Sequence, residues 1–146
     1  MLGGSRDADE WPVLTLKIDP ALDDHRRAVW VRNPKYDLRG VRIAYAQRKD
    51  GGALVTLRAS GDVYYGTTLL SGQKASDITT DGTGAIFVLG PQANADGEYP
   101  AFRYAGDYKA EHRWDAVPGR VGLRITGSHK SGFWLLSARG RVLPPG

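Results

Sequence analysis

Turn-forming residues constrain this chain more than any other feature. Its 19 glycines and 8 prolines punctuate the 146 residues at intervals of roughly ten. Long helices cannot form between such closely spaced breakers. The intervals are rich in Val, Thr, Tyr and Trp, which suit a pleated, half-buried surface. No helical stretch separates the candidate strands, so parallel crossover units are excluded and antiparallel pairing follows. The length suits one core. The expected organisation is an arm over 1–10, one β domain over 11–143 and a short tail over 144–146. The expected fold class is all-β, an antiparallel two-sheet sandwich, with a closed barrel as the alternative.

Individual strands follow from alternation and turn signals. Leu14, Leu16 and Ile18 read as the inward face of a strand over Val13–Ile18, with Thr15 and Lys17 outward. Ala28–Arg32 reads as a second strand. Val41–Arg48 is the cleanest, with Val41, Ile43 and Tyr45 inward. Asp50-Gly51-Gly52 predicts a hairpin turn into Ala53–Arg58, and Ser60-Gly61-Asp62 a second turn into Val63–Tyr65 and Thr67–Leu70. A short strand is expected at Asp77–Thr80. Ala85–Leu89 (AIFVL) lacks alternation and predicts a central strand buried on both faces. Beyond a loop centred on Asn94–Gly97, a strand is expected at Ala101–Tyr104. The stretch Gly106–Trp114 is open between edge strand and short helix. Pro118-Gly119 starts a strand over Arg120–Thr126, and Gly132–Ala138 and Arg141–Leu143 close the domain.

Charge narrows the function classes only a little. The formal net charge is +4, and residues 101–146 hold 8 Lys/Arg against 3 Asp/Glu. Most of these arginines alternate with apolar residues, as water-facing strand positions do, so nucleic acid is not the expected partner. With no cysteine, neither a disulfide nor a thiolate metal site is possible. The first ten residues carry no apolar leader run, and the longest compact apolar run, Ala85–Leu89, is far short of a membrane span. Localisation is left open by these features.

Catalytic and metal signatures are sparse. His25, His112 and His129 lie in expected loops or at element ends beside polar neighbours. No Gly-x-Ser-x-Gly elbow is present, and Thr126-Gly127-Ser128-His129 reads as a hairpin turn. Asn94–Glu98 and Asp77–Asp81 offer oxygen ligands near glycine turns, but neither matches a twelve-residue calcium loop. Asp81-Gly82-Thr83-Gly84 lacks the Lys-Ser/Thr that would cradle phosphate. The chain therefore reads as non-catalytic, with no cofactor or metal.

Aromatic residues are the most suggestive set. Tyr99, Phe102, Tyr104, Tyr108 and Trp114 are interleaved with Arg103 and Arg113. Flat rings beside polar groups suit sugar faces or a protein hot spot. The candidate ligand residues are Tyr99, Tyr104, Tyr108, Trp114, Arg103 and Arg113, against the alternative that the rings fill the core and its rim. Tyr104 and Tyr108, flanking Gly106, are expected to be exposed. Trp30 and Trp134 are expected in the core, and Trp11 could anchor the arm.

Two stretches resemble known domains. Val29-Trp30-Val31-Arg32-Asn33-Pro34, followed by Tyr36-Asp37-Leu38-Arg39-Gly40-Val41-Arg42-Ile43, resembles the early strands of bacterial immunoglobulin-like sandwich domains. Gly132–Val142 (GFWLLSARGRV) resembles their closing hairpin. The chain departs from antibody-type domains in lacking the cysteine pair. The resemblance implies an adhesive or structural role, as in cell-envelope or phage virion proteins. The expected function is thus a structural or interaction module of a larger assembly, contacting protein neighbours and capable of homo-oligomerisation. The alternative is a glycan-binding module using the Tyr99–Trp114 surface.

Overall fold

The computed structural model describes residues 1–3, 10–18, 21, 28–32, 39–49, 51–107 and 111–145. Among these the chain is all-β and every strand pairing is antiparallel. Two ribbons come first: β1 (Trp11–Pro12) pairs with β4 (Arg39–Gly40), and β2 (Leu14–Ile18) with β3 (Ala28–Arg32). A four-stranded meander follows, formed by β5 (Arg42–Arg48), β6 (Gly51–Leu57), β7 (Val63–Tyr65) and β8 (Thr68–Leu69). The strands β9 (Asp77–Thr80), β10 (Ile86–Leu89), β11 (Tyr99–Tyr104) and β12 (Trp114–Gly122) make a second four-stranded sheet in the order β12-β11-β10-β9. Last, β13 (Arg124–Gly127), β14 (Phe133–Leu136) and β15 (Val142–Leu143) form a three-stranded sheet. Among the described residues no sheet closes on itself, which overturns the barrel alternative.

The strand β10 explains the layering. Its side chains alternate between two cores, so a continuous apolar run is what its position demands. Ile86 and Val88 join Val55, Leu57, Val63 and Leu70 of the meander side. Phe87 and Leu89 join Ala101, Ile125, Phe133 and Leu135 on the other face. Side chains of the β9–β12 sheet therefore share one core with β5–β7 and the other with β13 and β14. Each fully buried aliphatic side chain contributes about 1.5–3 kcal/mol.

Several inward assignments reverse. Tyr45 is 51% exposed, whereas Ala46 is fully buried and Ala44 packs on the core. Here β5 runs close against β9, with the Thr80 hydroxyl donating to the Tyr45 carbonyl at 2.7 Å. Small side chains fit that approach and the tyrosine must turn out. Leu16 and Ile18 are likewise exposed, while Val13 just before them is buried. The turn before β6 also falls earlier than expected. Pairing runs to Arg48↔Gly51, so Gly51 and Gly52 belong to the strand, and Asp50 lies outside the described residues.

Pro118-Gly119 does not begin a strand either. The β11–β12 register jumps from Phe102↔Ala116 to Pro100↔Val121, so residues Val117–Arg120 form a bulge opposite Ala101. Proline is tolerated inside a strand at such a bulge, and Gly119 adopts a φ of 70° there.

Two buried carboxylates pin the outer hairpin to the middle sheet. From β9, Asp77 accepts the Ile125 amide at 3.1 Å. Four residues on, Asp81 accepts the Gly132 amide at 2.8 Å and closes its own turn by accepting from Thr83 and Ala85. Together these contacts set the register of β13 and β14 against β9.

The described part of the arm docks on its own chain. Leu2 bridges Val13, and Gly3 donates its amide to Pro12. Glu10 receives both Nε and a terminal nitrogen of Arg58 at 2.6 and 2.8 Å, plus the Ala59 amide at 2.9 Å. The Arg58 hydrogen bonds hold the Glu10 carboxyl below its usual range, against the opposing effect of burial. A depressed carboxylate stabilises the fold above its unfolded value, and that gain is lost as the pH falls through the folded value. Glu10→Gln should cost about 1–3 kcal/mol at pH 7 and flatten the stability profile below about pH 4.3. Urea unfolding at pH 7 and pH 3.5 measures both. Parallel profiles for the variant and the parent would contradict the assignment.

Candidate functional site

The aromatic set that stands out in the sequence is divided by the fold. Phe102, Tyr104 and Trp114 face the core beneath the meander, whereas Tyr99 packs on the opposite core. Tyr104 is buried at 5% exposure, which corrects the expectation that it is exposed. Its ring meets Trp114 edge-on at 5.0 Å, and its hydroxyl donates to the Asp107 carbonyl and lies 3.3 Å from His112 Nδ1. The Trp114 indole donates to the Ser71 carbonyl at 3.0 Å. Tyr104 and Trp114 thus close one end of the core, with their polar atoms satisfied by backbone. Tyr108 lies outside the described residues.

The two arginines of the same set are exposed and separate in role. Arg113 lies 3.5 Å from Asp115 and 3.9 Å from Glu111, exposed pairs that add little stability. Arg103 follows Phe102 on β11 and opens into a cleft on the other side of the sheet, with Arg120.

Groups that suggested metal or acid–base chemistry have local employment. Asp77 and Asp81 spend their oxygens on backbone amides, as above. Asn94 Oδ1 accepts from the Asp96 and Glu98 amides, an ordinary side-chain-closed turn. His112 meets a tyrosine hydroxyl, His129 is exposed in the β13–β14 turn, and His25 lies outside the described residues. Among the described residues no three His, Asp or Glu side chains gather as a metal site, and no helix is long and apolar enough to cross a membrane.

A cluster of exposed apolar side chains lies elsewhere, on the outer face of β13–β15. Strand alternation sends Ile125, Phe133 and Leu135 into the core and leaves Arg124, Thr126, Trp134, Leu136 and Val142 outward. Trp134 is 39% exposed, Leu136 38% and Val142 65%. Trp134 sits opposite Thr126, and Leu136 lies between Arg124 and Val142 in one cross-strand row. Between them runs a shallow depression of about 250 Å³. The apolar run places Trp134 in the core, but the fold turns it outward. The choice between Phe133 and Trp134 is decided by contacts remote in sequence. Phe133 packs on Phe87 at 4.7 Å between ring centres, and Asp77 and Asp81 lock the register. The only sequence signal was the run Phe-Trp-Leu-Leu itself, in which one pair must face out.

No protein-family model, curated protein or solved structure matches the chain.

Proposed function

We propose that this protein is a non-catalytic interaction module built into a larger assembly, such as a virion or a cell-envelope layer. Its docking surface is the outer face of β13–β15 and its immediate partner is a second copy. The observation that carries this reading is the contiguous exposure of Trp134, Leu136 and Val142 on one sheet face. Exposed apolar groups clustered in this way mark interaction surfaces. Self-docking suits the chemistry of the face. Among the described residues it carries one cation, Arg124, beside one indole, and no acid. Two-fold packing can set the guanidinium of each copy over the Trp134 ring of the other while burying the aliphatic groups.

On architecture, the pair of sheets β5–β8 and β9–β12 supports the immunoglobulin-like two-sheet reading, with β13–β15 as an added layer. The glycan-binding alternative depends on Tyr99 and Trp114 acting together, and they face different cores.

The test is mass by light scattering over a concentration series. The expected result is a rise to a defined dimer for the parent and a monomer throughout for a Trp134→Ser, Leu136→Ser double variant. Because both side chains point outward, that variant should keep its fold, checked by circular dichroism. A parent that stays monomeric at the highest concentration, or a variant that dimerises equally, would overturn the reading.

A further inference from the structure

We infer that the cleft formed by the β12 bulge is a ligand site for a carboxylate carried on an apolar body. The cleft has a volume of about 360 Å³, within the range of small-molecule sites. Its base is the buried pair Phe87 and Phe133, and Val117 and Pro118 of the bulge form one wall. Two guanidiniums, those of Arg103 and Arg120, open into it, and among the described residues no acid lines it.

Arg120 is already held in place. One terminal nitrogen donates to the Phe133 carbonyl at 3.0 Å and its Cζ sits 5.1 Å from the Phe133 ring centre. A guanidinium has five N–H donors, so most of the fork is left for a ligand. Arg103 comes from the neighbouring strand and forms no ion pair among the described residues. Its cross-strand neighbour Asp115 is engaged by Arg113. Guanidinium forks match carboxylates bidentately, and apolar walls favour a hydrocarbon or aromatic body over a sugar. The register jump makes the site possible: without the bulge, Val117–Arg120 would continue the ladder and the cleft would close. This site lies apart from the outer face of β13–β15 and does not depend on the docking proposal.

The test is a titration followed by the backbone amide of Gly132 and the Nε–H signals of Arg103 and Arg120. The probes are hippurate and, as a neutral control, hippuramide. A second pair is a tripeptide ending in phenylalanine with a free carboxylate and the same peptide amidated. The expected result is saturable shifts with the acids and none with the amides. Stronger binding of the tripeptide acid assigns the natural ligand to a polypeptide C-terminus, and stronger binding of hippurate to a free small acid. Arg103→Gln should weaken binding about tenfold or more while leaving the remaining signals in place. No saturable shift with either acid, equal shifts with acid and amide, equal shifts with acetate at the same ionic strength, or unchanged affinity in Arg103→Gln would each overturn the inference.

Discussion

Gly127→Ala is expected to lose about 4 kcal/mol or more of stability, the range reserved for severe backbone or core faults. A Cβ at Gly127 would stand 1.7 Å from the Thr80 carbonyl oxygen and 2.6 Å from its carbon. Both obstacles are backbone, so no rotamer change relieves them. Moving β13 away would strain the Ile125–Asp77 bond and the Gly82–Ser128 bond, 3.1 and 2.8 Å in the parent. Gly82 faces the same crossing from the other side, where a Cβ would stand 1.9 Å from the His129 oxygen. At about 2–4 °C per kcal/mol, thermal unfolding should drop by roughly 8–16 °C. The matched control is Gly97→Ala. That glycine has a φ of 79° but open space around it, so only the conformational penalty of about 1 kcal/mol applies. Equal losses for the two variants would show that β9 and β13 do not cross as closely as described.

Asp81→Ala should cost about 3–4 kcal/mol, since it strands three amides that share one carboxylate. Oδ1 accepts from the Thr83 amide at 2.9 Å, the Thr83 hydroxyl at 2.6 Å and the Ala85 amide at 3.0 Å. Oδ2 accepts from the Gly132 amide at 2.8 Å, and the residue is only 7% exposed. Asp81→Asn should lose roughly half as much, because the remaining oxygen can still close the Thr83 turn while the amide group faces Gly132 N–H. The effect also reaches the proposed function. Released at Gly132, the β13–β14 hairpin loses the register that turns Trp134 outward, so Asp81→Ala should weaken self-association as well as stability. Amide exchange at Gly132 reads the local release directly. Fast exchange at Gly132 is the expected pattern in both variants, because the Asn amide nitrogen offers it no acceptor, with exchange at the Thr83 amide raised only in Asp81→Ala. Unchanged exchange in both would mean the carboxylate does not hold the hairpin.

Local signals were legible wherever local chemistry decides the outcome. The turns at Gly61 and Asn94–Gly97, the strand Asp77–Thr80 and the doubly buried β10 follow from the residues themselves. Orientation was harder, because a strand with apolar residues on both parities does not declare its inner face. Tyr45 yields the core to Ala44 and Ala46 because β9 passes close by, and Trp134 yields to Phe133 because Phe87 waits beneath it. Tyr104 reads as a surface residue because it flanks Gly106, yet its ring packs on Trp114 and its hydroxyl finds backbone carbonyls of Asp107 and Glu111. Pro118-Gly119 reads as a beginning in sequence, and only pairing with β11 reveals it as a bulge. Arg103 was singled out with the aromatic residues, but the bulge gives it Arg120 as its neighbour in the cleft, which alternation alone treats as a water-facing position.

The most direct measurement is a dilution series of ¹H–¹⁵N spectra with assigned amides and tryptophan indoles. Concentration-dependent shifts are expected at Thr126, Trp134, Leu136 and Val142, including the Trp134 indole, with the Trp114 indole and the amides of β10 unmoved. Shifts confined to another surface such as β2, or none anywhere on the outer face of β13–β15, would contradict self-docking through that face.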